Sequence, residues 1–171
     1  MNVSEVLTEA FDRIPDLVRG AVKGLSPQQL RWTPDPGANS VGWLVWHLTR
    51  VQDGHIAEIL EREQVWEQDG WAGRFGLEPD PANTGYGHRP KQIDTVRPES
   101  AAALVEYYDA VAARTRELLR GLTAKDLDRV VDEGWDPPVT LGVRLVSILN
   151  DDDQHVGQAA YVRGLLRRAG A

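Results

Sequence analysis

Asp151 and His155 stand four residues apart at the head of an apolar run, and His47 lies far upstream in a second helix-like run. On an α-helix, positions i and i+4 fall one turn apart on the same face, so Asp151 and His155 can address one point while His47 reaches it from a neighbouring helix. Two imidazoles and a carboxylate suit a divalent first-row cation. Imidazole favours zinc, nickel or iron over magnesium and calcium, with cobalt and copper still open. Three protein ligands leave a coordination position free, which a catalytic metal needs and a structural one does not. The competing reading makes His47 a satisfied helix histidine and Asp151-Asp152-Asp153 a solvated acidic run. Three successive aspartates repel one another and have poor helix propensity, and a nearby cation would offset that repulsion.

Other candidates rank lower. His55 falls eight positions after His47, roughly 80° around the helix and two turns along, so it either approaches the same site or faces solvent. His88, in Gly85-Tyr86-Gly87-His88-Arg89, reads as an exposed loop histidine or part of a lid. A serine triad built on Ser40 or Ser147 has no nucleophile-elbow pattern around it. No P-loop or dinucleotide fingerprint is present, so no nucleotide is assigned.

Composition narrows the classes. The chain has 171 residues, enough for one compact domain, and 1–171 is read as a single one. Its net charge of −7 argues against a nucleic-acid partner, because counterion release needs a basic face. With no cysteine, the chain has no disulfide, no thiolate nucleophile and no Cys-based zinc finger. The N-terminus Met1-Asn2-Val3-Ser4-Glu5 lacks the regions of a signal peptide, and no stretch approaches the roughly 18 apolar residues of a membrane span. The expectation is a cytoplasmic protein. Six Trp against two Phe is a skewed usage, and indole favours half-polar walls such as those of a pocket.

The elements that must position these residues follow from periodicity. A first helix over about residues 4 to 24 begins at Ser4 and should kink or break at Pro15. Ser26-Pro27-Gln28-Gln29-Leu30 reads as one short helical turn. Ser40 caps a second helix carrying Trp43 and His47. From Val65 to Pro98 the chain holds five Gly and four Pro with little periodicity, and reads as a long irregular connection. A third helix runs from about Ser100 to Leu119 and closes at Gly121. A short turn at Thr123 to Leu127 and a loop or extended piece over Val130 to Val139 lead to a fourth helix, from Thr140 past Leu166. Four such amphipathic helices bury their stripes best as an all-α bundle, with the long crossover between helices two and three.

The run Pro34-Asp35-Pro36-Gly37-Ala38-Asn39-Ser40-Val41-Gly42-Trp43-Leu44-Val45-Trp46-His47-Leu48-Thr49-Arg50, the loop pieces Asp69-Gly70-Trp71, Arg74-Phe75-Gly76-Leu77 and Thr84-Gly85-Tyr86-Gly87, and the ending Asp151 to Leu166 together resemble the DinB-like, or YfiT-like, metal-binding superfamily. The resemblance covers nearly the whole chain, and the branch it is most similar to is that of mycothiol-dependent transferases. It implies an up-down-down-up four-helix bundle, a divalent ion on His47, Asp151 and His155, and a homodimer. The common pattern of that family has three histidines, and here the first of the late pair is Asp151, which adds a negative charge beside the ion.

The chemistry so implied is transfer of a low-molecular-weight, mycothiol-like thiol to a small electrophile, zinc being the favoured ion. Trp43, Trp46, Trp71, Phe75 and Tyr107 are the expected walls for an apolar electrophile, and Arg74 or Arg89 the expected hold on a carboxylate or polar part of the thiol. Metal-dependent hydrolysis, with Asp152 or His55 as base, is a second reading. A non-enzymatic stress protein that binds a metal or small ligand is a third.

Overall fold

The computed structural model describes residues 1–170. The first helical segment is two helices, α1 (Val3–Phe11) and α2 (Ile14–Val22). Pro15 sits in the first turn of α2, where a missing N–H leaves no bond unmade. The cap is Asn2 rather than Ser4. Asn2 Oδ1 accepts from Glu5 N at 2.9 Å and Glu5 accepts from Asn2 N at 2.9 Å, a reciprocal pair. The Ser4 hydroxyl is spent elsewhere, donating to the Leu119 carbonyl at 2.6 Å.

Ser26 and Gln29 cap each other around α3 (Pro27–Leu30). Ser40 starts α4 (Val41–Leu60) by accepting from Trp43 N at 3.1 Å. Every residue from Val41 to Arg50 is buried, so α4 is the central rod.

The segment after α4 is not the structureless connection that its composition suggests. It contains α5 (Val65–Gln68), a 3₁₀ helix over Trp71–Phe75 and α6 (Pro90–Ile93). Elements of four or five residues are too short to show a period, which is why they are invisible to periodicity. Two backbone bonds pin the segment across itself, Arg97 N to Phe75 O at 2.8 Å and Glu99 N to Arg74 O at 2.9 Å.

Ser100 caps α7 (Ala101–Leu119). A 3₁₀ turn at Asp126–Asp128 and a two-stranded antiparallel ribbon, β1 (Val130–Asp132) with β2 (Val139–Thr140), lead into α8 (Leu141–Ala169). Thr140 ends the ribbon and caps α8.

The architecture is mostly helical. α8 lies along α4, α7 packs on α4, and α2 packs on both α7 and α8. One apolar cluster surrounds Trp46, Trp66, Phe75 and Tyr107, and a second gathers Phe11, Ile56, Leu119, Leu145 and Ile148. Between the two, α4 contributes Gln52 and Asp53, α7 contributes Thr115 and α8 contributes Asp152, all buried. Among the described residues no helix is long and apolar enough to cross a membrane.

Candidate metal centre

His47 lies about two turns into α4, and Asp151 and His155 lie mid-way along α8. Ile148, Asp152, Val156 and Ala159 turn one side of α8 into the core, which leaves Asp151 and His155 on the flank beside α4. One ligand atom from each of His47, Asp151 and His155 lies within 4.8 Å of the other two. The two imidazoles meet edge to face, with centroids 4.7 Å apart.

Hydrogen bonds decide which atoms face the centre. His47 Nδ1 lies 2.5 Å from the Thr84 carbonyl oxygen, which can only accept. The ring proton therefore sits on Nδ1 and the lone pair on Nε2. His155 repeats the arrangement, with Nδ1 2.9 Å from Gln158 Oε1 and Nε2 3.4 Å from Asp151 Oδ1. Asp151 Oδ2 is buried with no hydrogen-bond partner. Two imidazole lone pairs, each with its other nitrogen bonded to an acceptor, and a carboxylate with an unsatisfied oxygen form a donor set that fits a divalent cation.

The electrostatics agree. Burial holds the His47 imidazole below its ordinary value, the Thr84 carbonyl opposes this, and His155 adds to the depression. His47 is thus neutral near pH 7. The Asp151 carboxylate raises His155, outweighing its burial. The Asp151 carboxylate thus favours positive charge on the side of His155 that faces the centre, whether from a proton or a cation.

A cleft of about 660 Å³ opens beside the trio, lined among others by His47, Asp151, His55, Glu58, Tyr86 and Ser147. His55 is therefore a wall of the cleft rather than a fourth ligand. Burial and then Arg144 lower its pKa. Arg144 Nη1 approaches His55 Nε2 at 3.4 Å while Arg144 Nη2 pairs with Asp132 at 2.6 Å.

The cleft walls differ from those the sequence suggests. Trp46, Phe75 and Tyr107 are fully buried in the core and do not line the cleft. Trp43 backs the site instead, stacked on His47 at 4.7 Å. Trp71 lies under the Arg74 guanidinium, which pairs with Glu99 at 2.6 Å and Glu106 at 2.8 Å. Neither Arg74 nor the exposed Arg89 lines the cleft. Asp152 is fully buried and turned from the cleft, so it cannot act there as a base. His88 is half-buried and bonded rather than a free loop residue.

The aromatics are consumed by a buried ion pair that periodicity misses. Arg50 lies over Trp66 at 4.7 Å and donates to the carbonyls of Pro81 at 2.9 Å and Asn83 at 3.2 Å. Asp53 accepts from Arg50, the Tyr107 hydroxyl and the backbone of Val65 and Trp66. Two opposite charges three positions apart, just after the apolar run Val41 to Trp46, are the signal the sequence offers. Thr84 acts through its backbone, which no residue type announces.

The sequence pattern described as the DinB superfamily matches residues 10–159. A conserved protein from Enterococcus faecalis is similar in structure, with 30% identity, a TM-score of 0.88 and coverage of 97% of this chain and 98% of that one. A DinB-like protein from Bacillus cereus shares the fold at 23% identity and a TM-score of 0.54, covering 96% of this chain and 86% of that one. No curated protein matches.

Proposed function

We propose that this chain, which belongs to the DinB superfamily, is a divalent-metal-dependent S-transferase that delivers a low-molecular-weight, mycothiol-like thiol to a small electrophile. The observation that carries the reading is the convergence of His47, Asp151 and His155 within 4.8 Å beside an open cleft of about 660 Å³. His47 and His155 would hold the ion through Nε2 and Asp151 through its carboxylate, zinc being favoured over nickel or iron. A cation so held would lower the pKa of a thiol brought to it.

The chain's own residues do the rest. It contains no cysteine, so the sulfur nucleophile comes from a cosubstrate. Thr84 and Gln158 orient the two imidazoles. His55 stands on the cleft wall with its Nε2 facing the Arg144 guanidinium at 3.4 Å, so it shapes the cleft rather than taking a proton there. Tyr86 stands exposed at the lip, where a substrate enters. In the same reading the long helical segments run up-down-down-up and the protein works as a cytoplasmic homodimer.

Metal-dependent hydrolysis is the second reading, since the same open cleft beside the trio admits water as readily as a thiol. It differs in needing no thiol.

Protein purified without added metal is compared by elemental analysis with His47→Ala and His155→Ala, then assayed for conjugation of a cellular thiol to a test electrophile. Near-stoichiometric metal in the parent alone, with thiol-dependent turnover absent from His47→Ala, supports the transferase. Metal-dependent turnover without thiol supports the hydrolase. A parent that takes up no more metal than the variants overturns both.

A further inference from the structure

Trp43 lies almost flat against His47, with ring centroids 4.7 Å apart and planes 18° from parallel. Rotating the His47 ring requires the indole to move. The indole has one polar atom, Nε1–H, which can only donate, and it donates to His88 Nδ1 at 3.2 Å. That bond assigns the His88 tautomer: its Nδ1 holds a lone pair, and its proton is on Nε2, 3.0 Å from Asn83 Oδ1. Every atom from Trp43 through His88 to Asn83 therefore has one allowed role. The His88 ring also lies at a 24° tilt over the buried Trp46, with centroids 5.9 Å apart.

The loop that carries His88 is the loop that orients His47. The Thr84 carbonyl accepts from His47 Nδ1–H, and the turn closes through His88 N to Gly85 O at 3.0 Å. Arg50 grips the loop upstream through the carbonyls of Pro81 and Asn83. Downstream of Thr84, the side-chain tether is His88. Gly85 lies so close that a Cβ there would come within 3.0 Å of His47 Nδ1 and 3.1 Å of Trp43. The loop backbone thus rests directly on the rings it holds.

From this geometry we infer that His88, outside the ligand trio, is a positioning residue that fixes both the tautomer and the ring plane of His47, through Trp43 on one side and the Thr84 carbonyl on the other. The inference rests on the metal-centre reading for its consequence, since a misplaced imidazole is a weaker ligand. Its structural content, one tautomer for His47, stands without a metal.

The test uses full-length protein labelled with ¹⁵N-histidine. Long-range ¹H–¹⁵N spectra of metal-free parent should show His47 as a single Nδ1–H tautomer. His88→Phe keeps a ring over Trp46 but can neither accept from Trp43 nor donate to Asn83. It should give mixed His47 tautomers, an altered Co²⁺ absorption spectrum and zinc affinity lower by about 10–100-fold. His88→Asn, which places an oxygen near the former Nδ1, should fall between parent and His88→Phe on all three readouts. Trp43→Phe preserves the stack without the N–H donor and should shift the same readouts, which covers the case of a poorly folded His88→Phe.

A merely structural His88 would lower the melting temperature and leave the tautomer single. Unchanged tautomer and zinc affinity in folded His88→Phe and Trp43→Phe overturn the inference while the proposed function survives. If the parent binds no zinc yet loses its single tautomer on substitution, the inference stands and the proposed function falls.

Discussion

In α8, His155 Nε2 lies 3.4 Å from Asp151 Oδ1, one turn away. The carboxylate raises the imidazole above its ordinary value, so an incoming cation must compete with a proton for this pair. His47, depressed by burial, keeps its Nε2 lone pair free. Affinity for zinc should therefore climb by about tenfold per pH unit while His155 is protonated, and level off above its raised pKa. Chelator competition between about pH 5.5 and 8 measures this. An affinity flat across that range would show that Asp151 and His155 do not share the bound ion.

Gly85 has φ +89°, and a Cβ added there would lie 2.8 Å from the Trp46 ring and 3.0 Å from His47 Nδ1. Both obstacles are packed rings, so neither can swing away. Gly85→Ala should cost about 1–3 kcal/mol from the left-handed backbone alone. It should also displace the Thr84 carbonyl, lowering bound metal together with the melting temperature. Full metal occupancy in Gly85→Ala would mean that the loop does not orient His47.

The legible parts of this chain are those with a long period or a local signature. Ser40, Ser100 and Thr140 mark the starts of α4, α7 and α8, and the four-residue spacing of Asp151 and His155 puts both beside His47. The aromatic pocket is not legible, because residue type does not say which face of a helix an indole occupies. Trp46 and Tyr107 pack inward around Arg50 and Asp53, whereas the cleft is lined by His55, Glu58 and Tyr86. Buried ion pairs and backbone carbonyls from a loop emerge only when distant segments meet. The Thr84 to His47 bond spans 37 positions and depends on a carbonyl that every residue possesses.

Asp152 is fully buried, with neither carboxylate oxygen hydrogen-bonded. Burial, then Asp151 and Asp153, raises its pKa well above the ordinary carboxylate value. A raised folded-state pKa contributes stability that is complete below the unfolded value and lost as pH rises towards the folded one. The parent should accordingly weaken from about pH 4 upward. Asp152→Asn, with no proton to lose, should lack that component and exceed the parent by a margin that widens with pH. Parallel urea-denaturation curves for the two proteins across this range would show that Asp152 is ionised in the fold.

Asp53 joins more segments than any other acidic side chain described. It accepts from Val65 N at 2.9 Å and Trp66 N at 2.8 Å, so it caps the first turn of α5 from within α4. It also accepts from the Tyr107 hydroxyl at 2.8 Å and pairs with Arg50 at 3.4 Å. Asp53→Ala would strand the Arg50 cation, which is fully buried. Breaking a buried pair from one side costs about 3–5 kcal/mol. Arg50 is also the upstream grip on the loop that presents Thr84, so metal affinity should fall with stability. The exposed pair of Arg62 with Glu117 at 3.0 Å is the control. Water already solvates both charges, and Glu117→Ala should leave unfolding and metal binding unchanged. If urea denaturation shows Asp53→Ala no less stable than Glu117→Ala, Arg50 has found another partner and the loop does not hang from this pair.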